Sequence, residues 1–345
     1  MEKSTITKPR KSNIELLRLF SMFLIVWYHM FLFVLEPDNP EHPIFKAILM
    51  PIHAGVPIFV MISGYFGIRF SFKSLASLLA RVYLYVIPLT LIFLWPKHPS
   101  TKDIIETFLV LGNNNLWFVN TYLCLYIIAP LLKPFDTLAP KHRWVILAGL
   151  AFMSIYVGDV KLSDPSLVNG KNLLNFIFLY LIGSMIRIYS DKLSLIPTKL
   201  IIPAYVLVAI IPTVSYLIIG NDFITTRIWM LSFPYNSPIL IFSCMIIMIL
   251  FTRITLQSDK INWISSSVFA IYLIHAASWD CIADTLKWIE TINTDSVFLS
   301  FTSFALTLGV MAVCISIDKV LSPIWTYVSK KAQSLDKWYS ENSNN

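Results

Sequence analysis

Arg18 and His29 stand eleven residues apart in NIELLRLFSMFLIVWYHMFLF, the stretch from Asn13 to Phe33. The run is apolar apart from Asn13, Glu15, Arg18 and His29, with Ser21 and Tyr28 as minor polar groups. On a helix of about 3.6 residues per turn this spacing is about three turns, so both side chains share a face, roughly 16 Å apart along the axis. An imidazole titrates near working pH and takes a proton from a hydroxyl or a thiol. A guanidinium is a permanent cation that grips phosphate through paired hydrogen bonds. Ionisable groups inside an apolar helix are costly and mark candidate sites. Simpler alternatives stand beside this: His29 as a hydrogen-bonded core histidine, and Arg18 snorkelling to lipid phosphate or pairing with Glu15, three residues earlier.

Other polar residues interrupt apolar runs. Arg81 lies seven residues before Pro88. At a depth similar to that of Arg18 it can help clamp a diphosphate, with snorkelling as the alternative. His53 falls on the outer half of its run, where it can line one pocket with His29. Pro57 and the Ser63-Gly64 pair loosen that same helix, and Gly64 equally suits a plain packing contact. Tyr272 and His275 are three residues apart and share a helix face, with Asp280 and Asp284 beyond. Trp117 and Phe118 follow Asn113, Asn114 and Asn115, where an interfacial aromatic belt is the ordinary explanation. Cys124, Cys244, Cys281 and Cys314 show no metal-type spacing and read as core residues. P-loop, dinucleotide, nucleophile-elbow and metal-cluster motifs are missing, so no metal or permanently bound cofactor is expected.

These groups need elements to hold them. Of 345 residues, 56% are hydrophobic and 14% charged, with a mean hydropathy of +0.68, too apolar for a soluble domain of this size. The chain reads as all-α, a polytopic bundle of about ten transmembrane spans near 14–35, 47–68, 74–95, 116–132, 144–158, 172–189, 200–219, 236–252, 262–282 and 296–317. With the N-terminus inside, eighteen of the 27 Lys and Arg fall in cytoplasmic segments and seven in outer ones, which places both termini in the cytoplasm. This asymmetry accounts for the net charge of +7 without nucleic acid. Residues 1–12 form a basic cytoplasmic tail, and the run behind MEKSTITKPRK lacks a small-residue cleavage site and stays as a span. Residues 321–345 form a polar cytoplasmic tail. Between Trp95 and Asn115 the run IIETFLVLG is too short to span; it is expected as an interfacial or re-entrant piece, or a surface loop. The other long outer loop, Gly220 to Ser237, carries Arg227, Trp229 and Tyr235, and no internal repeat stands out.

Five stretches in order carry a resemblance: Arg18 to His29, VPIFVMISGYF, Arg81-VYLYVI-Pro88, LWFV through LYIIAPLL between Leu116 and Leu132, and FAIYLIHA. Together they resemble the acyltransferase-3 family of bacterial membrane O-acyltransferases over about residues 12–320, and the branch that modifies surface polysaccharides. The resemblance implies a transmembrane acyltransferase domain over residues 13–320, in the bacterial plasma membrane. It implies transfer of an acyl group, most often acetyl, from cytosolic acetyl-CoA to a hydroxyl on a glycan or lipid-linked sugar. Arg18 and His29 would be the catalytic pair, with His29 as general base, and Arg18 and Arg81 would hold the donor. Ser63, Gly64 and Tyr65 match the second-span signature and would shape the substrate pocket, with His53, Trp117, Tyr272 and His275 alongside. One departure is that many relatives carry a second basic residue close to the third-span arginine, whereas SLASLLA precedes Arg81 and Lys73 is the nearest earlier cation. The rival class is a transporter or flippase for a lipid-linked sugar, which would call for paired intramembrane acids or a visible repeat. The expected partners are acyl-CoA, a glycan or lipid-linked sugar and membrane lipids; the sequence leaves homo-oligomerisation open.

Overall fold

In hydrocarbon each backbone N–H and C=O must be paired within the protein, which for this sequence means helices. The computed structural model describes residues 10–34, 51–113, 116–161, 165–219, 232–292, 296–328, 330–331 and 333; among them there is no strand. The helices are α1 (Ser12–Val34), α2 (Gly55–Phe66), α3 (Phe72–Leu94), α4 (Thr101–Phe108), α5 (Trp117–Leu132), α6 (Pro140–Ala151, continued by a π-helical stretch Phe152–Val160) and α7 (Leu173–Ile188). They continue with α8 (Ser190–Ser194), α9 (Thr198–Ile219), α10 (Pro238–Thr252), α11 (Asp259–Ser265), α12 (Val268–Ala277), α13 (Trp279–Ile292) and α14 (Ser296–Val320).

Among the described residues, five stretches are long and apolar enough to cross a membrane: Ser12–Phe31, Phe72–Lys97, Trp117–Thr137, Pro140–Val160 and Val297–Val320. Four shorter apolar helices accompany them: Pro51–Phe66, Leu173–Ile188, Thr198–Ile210 and Pro238–Thr252. Leu200, Leu207, Phe301 and Val313 are exposed, which suits lipid rather than water as their neighbour. The chain is therefore a multi-pass membrane protein. The expected span at 262–282 is not one continuous helix. It breaks at Ser266–Ser267 and again at Ser278 into α11, α12 and α13. A serine hydroxyl competes for the backbone at the first break, with Ser266 donating to the Trp263 carbonyl (2.7 Å). Between Trp95 and Asn113 lies the eight-residue α4, capped by Ser100 and Asp103, with Ile105 and Phe108 exposed. Asn114, Asn115, Arg227 and Trp229 lie outside the described residues.

α1 is the central post, packed by α2, α10, α11, α12, α13 and α14. Close approach is built from glycine. A Cβ on Gly55 would sit 2.6 Å from the Ser21 carbonyl oxygen of α1. The α2–α7 contact is tighter: a Cβ on Gly64 would lie 1.8 Å from the Tyr180 carbonyl oxygen, and one on Gly183 would lie 1.9 Å from that of Met61. Each helix thus lays a glycine on the other's backbone, and the Ser63-Gly64 signature is a packing device.

The bundle has two unlike ends. At the basic end, Arg10 donates to the Asn262 carbonyl, Asn13 to that of Phe251 and Lys319 to that of Trp263, tying α1, α10, α11 and α14 together. At the opposite end lies a buried amide network. Asn236 donates to the carbonyls of Ser154 (2.6 Å) and Leu167 (3.1 Å), and Asn175 to that of Gly170 (3.0 Å). Gly170 holds φ at +66°, and a Cβ there would meet the Asn236 backbone nitrogen at 2.6 Å, so only glycine fits. This network fixes the chain on either side of Lys171 and Tyr235.

Candidate active site

A cavity of about 270 Å³ opens at that end, lined by Tyr28 and His29 of α1, Trp117 and Phe118 of α5, Lys171, Tyr235, Tyr272 and Ala276 of α12, and Trp279 at the start of α13. Its chemistry centres on two histidines. His275 Nδ1 lies 2.7 Å from the Ile271 carbonyl oxygen, one turn back on α12. A carbonyl only accepts, so His275 carries its proton on Nδ1 and, as a neutral imidazole, presents the Nε2 lone pair. That Nε2 lies 2.9 Å from His29 Nδ1, which must then be the donor. The proton of His29 therefore sits on Nδ1, and its Nε2 lone pair is left for a substrate. The i to i−4 geometry of α12 sets the tautomer of a residue on α1. The same arrangement, a base oriented by a hydrogen bond from its far nitrogen, is what general-base catalysis requires.

Aromatic surface surrounds the base. Trp279 meets the His29 ring edge-on at 4.8 Å, Trp117 stacks on Tyr235 at 5.4 Å, and Phe118 packs on Tyr272 at 5.3 Å. The Lys171 ammonium lies over the Trp117 ring, 5.3 Å from its centre. Flat amphipathic rings with few polar groups suit a sugar or another small polar molecule with apolar faces.

The remaining sequence candidates have definite places. Trp117, Tyr272 and His275 are at the site, with His275 behind His29. His53 is not among the cavity-lining residues. Its Nδ1–H donates to the Phe233 carbonyl, and its ring lies between Tyr28 (4.6 Å) and Tyr235 (4.3 Å), so it braces two lining tyrosines. Ser63 lines no part of the cavity either. Its hydroxyl donates to the Phe59 carbonyl and accepts from Tyr122, which stacks on Phe118 at 5.7 Å. Tyr65 is buried near the basic end, beneath the Lys11 ammonium.

Arg18 pairs with Glu15 at 2.9 Å and lies over the Phe66 ring at 5.3 Å. Glu15 is buried and also accepts from Ser265 at 2.8 Å. Phe66 in turn borders a second cavity, of about 630 Å³, at the basic end, with Arg69, Phe70, Lys133, Asp136, Tyr180 and Arg187 in its walls. Arg187 is held there by Asp136 (2.6 Å) and Ser184 (3.0 Å). Arg81 is elsewhere. It lies 3.9 Å from Asp318 and over the Trp325 ring at 5.2 Å, and it lines neither cavity. Asp318 accepts from Tyr85 (2.6 Å) and Ser267 (2.7 Å).

Sequence reasoning missed Lys171, Tyr235 and Trp279 as site residues. They come from a loop, a turn and a helix start, and no period marks them. The glycine before Lys171 was the available signal, since a fixed turn positions whatever follows it.

The family model for an acyltransferase domain, acyltransferase 3, matches residues 11–319. No curated protein and no solved structure matches the chain.

Proposed function

The chain belongs to the acyltransferase-3 family, and from that premise we propose that it is a membrane O-acyltransferase moving an acyl group, in the simplest case acetyl, from cytosolic acyl-CoA to a hydroxyl of a cell-surface polysaccharide or its lipid-linked precursor. The observation that carries the mechanism is the His29–His275 contact, which frees His29 Nε2. In the reaction, Nε2 takes the proton of the acceptor hydroxyl as its oxygen attacks the thioester carbonyl. Collapse of the tetrahedral adduct breaks the carbon–sulfur bond, and the proton on His29 passes to the departing thiolate. His275 is a positioning residue that accepts the Nδ1 hydrogen bond throughout.

The donor arrives at the basic end, which the positive-inside rule assigns to the cytoplasm of a bacterial plasma membrane, together with both chain termini. Arg69, Lys133 and Arg187 offer cations for its phosphates, with Arg18 one residue further in, beside Phe66. The roughly 16 Å of helix between Arg18 and His29 is covered by the extended pantetheine arm. Arg81 stands apart from this path, against Asp318 and Trp325. Mass spectrometry of the surface polysaccharide from cells with and without this protein tests the reading. A difference of one acyl group per modified sugar supports it. Loss of the polymer itself, with its acyl content unchanged, would point to a transporter instead.

A further inference from the structure

Charge in the acceptor region is one-sided. Lys171 is the single charged side chain among the described residues lining the cavity around His29. Next to it, sharing Ala276 and Trp279, is a smaller cavity of about 120 Å³, whose described lining includes Asn113 and Thr90. Among the described residues, neither wall holds a carboxylate. Lys171 has no carboxylate within 4.0 Å among the described residues, and its ammonium lies over Trp117, which forms the cavity wall. It also follows Gly170, whose carbonyl accepts from Asn175 and which packs on Asn236, so the backbone that carries the cation is fixed before any ligand arrives. A lysine serving only lipid headgroups would not need that anchoring.

We propose that the acceptor is an acidic saccharide, bound with its anionic group on Lys171 and a neighbouring hydroxyl at His29 Nε2. This rests on the acyltransferase reading above and adds the chemical class of the acceptor. The aromatic faces of Trp117, Tyr235 and Trp279 take the sugar rings, and the adjoining cavity takes the next residue of the chain. Two sources supply such an anion: a sugar carboxylate, or the phosphate that joins a sugar to its lipid carrier. Either places a negative charge close to a free hydroxyl, and an ammonium facing it forms a charge-assisted hydrogen bond.

The test uses the purified full-length protein in proteoliposomes with labelled acetyl-CoA and three acceptors: an oligosaccharide containing a uronic acid, its neutral carboxamide, and a neutral sugar joined to polyprenyl phosphate. The wild type is expected to use at least one anionic acceptor with kcat/KM about tenfold above the carboxamide, carried by KM, the scale of a hydrogen bond to a charged group. Which anionic acceptor it favours identifies the source. Lys171→Gln should erase that preference and Lys171→Arg should keep it. Equal use of all three acceptors by the wild type overturns the proposal and leaves acyl transfer intact. So does a Lys171→Gln variant whose kcat falls equally with every acceptor, because Lys171 would then act on the reacting carbonyl. No transfer to any acceptor overturns the acyltransferase reading, and this proposal with it.

Discussion

His29 and His275 meet at 2.9 Å across 246 residues of sequence, and the contact fixes a tautomer as well as a position. Ile271 decides where the proton of His275 sits, and His275 decides where that of His29 sits. Removing His275 should therefore damage chemistry more than binding. His275→Leu is expected to lower kcat by about 10- to 100-fold, the usual cost of losing an orienting partner, with little change in the KM for acyl-CoA. Steady-state kinetics across pH would check this, since a purely structural defect would lower the amount of active enzyme without changing the shape of the pH profile.

The glycine contacts between α2 and α7 predict a stability defect. Gly64→Ala and Gly183→Ala each push a methyl into the opposing backbone, where a carbonyl cannot swing aside. Each should cost about 1–3 kcal/mol, the scale of overpacking. Because both residues lie in one interface, the double variant should depart from additivity. Thermal unfolding in detergent measures it.

Arg18 has two jobs in this account, balancing buried Glu15 and meeting the donor, and they can be separated. Arg18→Gln alone should reduce stability, because buried Glu15 loses its guanidinium partner and is left with the Ser265 hydroxyl. Adding Glu15→Gln should restore the melting temperature while the raised KM for acyl-CoA persists. Recovery of both together would leave Arg18 with the structural job alone.

The basic-end cavity and Arg81 make opposing predictions about the donor. Arg69→Gln and Lys133→Gln should raise the KM for acyl-CoA and leave kcat nearly unchanged, and the effect should weaken at high salt. Arg81→Gln should change that KM less than Arg18→Gln does, since Arg81 faces Asp318 and Trp325. Acyl-CoA titrations of the purified variants decide it.

Much of the site was legible from local spacing. Tyr272 and His275 share a face because they are three residues apart on a helix, and Glu15 and Arg18 pair for the same reason. The one-faced relation of Arg18 to His29 follows from helical geometry, and the apolar runs located the helices. What spacing does not carry is partnership between distant elements. Nothing local links Arg81 to Asp318, His53 to Phe233, or Gly64 to the backbone of Tyr180. At the first break of the ninth run, the hydroxyls of Ser265 and Ser267 meet Glu15 and Asp318, a tertiary matter. Lys171 looked like one more loop cation because its place is set by Asn175 and Asn236 through Gly170.

The central claim is that His29 moves the proton of the acceptor hydroxyl. Single-turnover transfer from labelled acetyl-CoA to polysaccharide, by purified wild type and His29→Ala, tests it most directly. The account predicts that His29→Ala folds, binds acetyl-CoA and forms no acylated glycan above background. Acylated glycan formed by His29→Ala at the wild-type rate would contradict it.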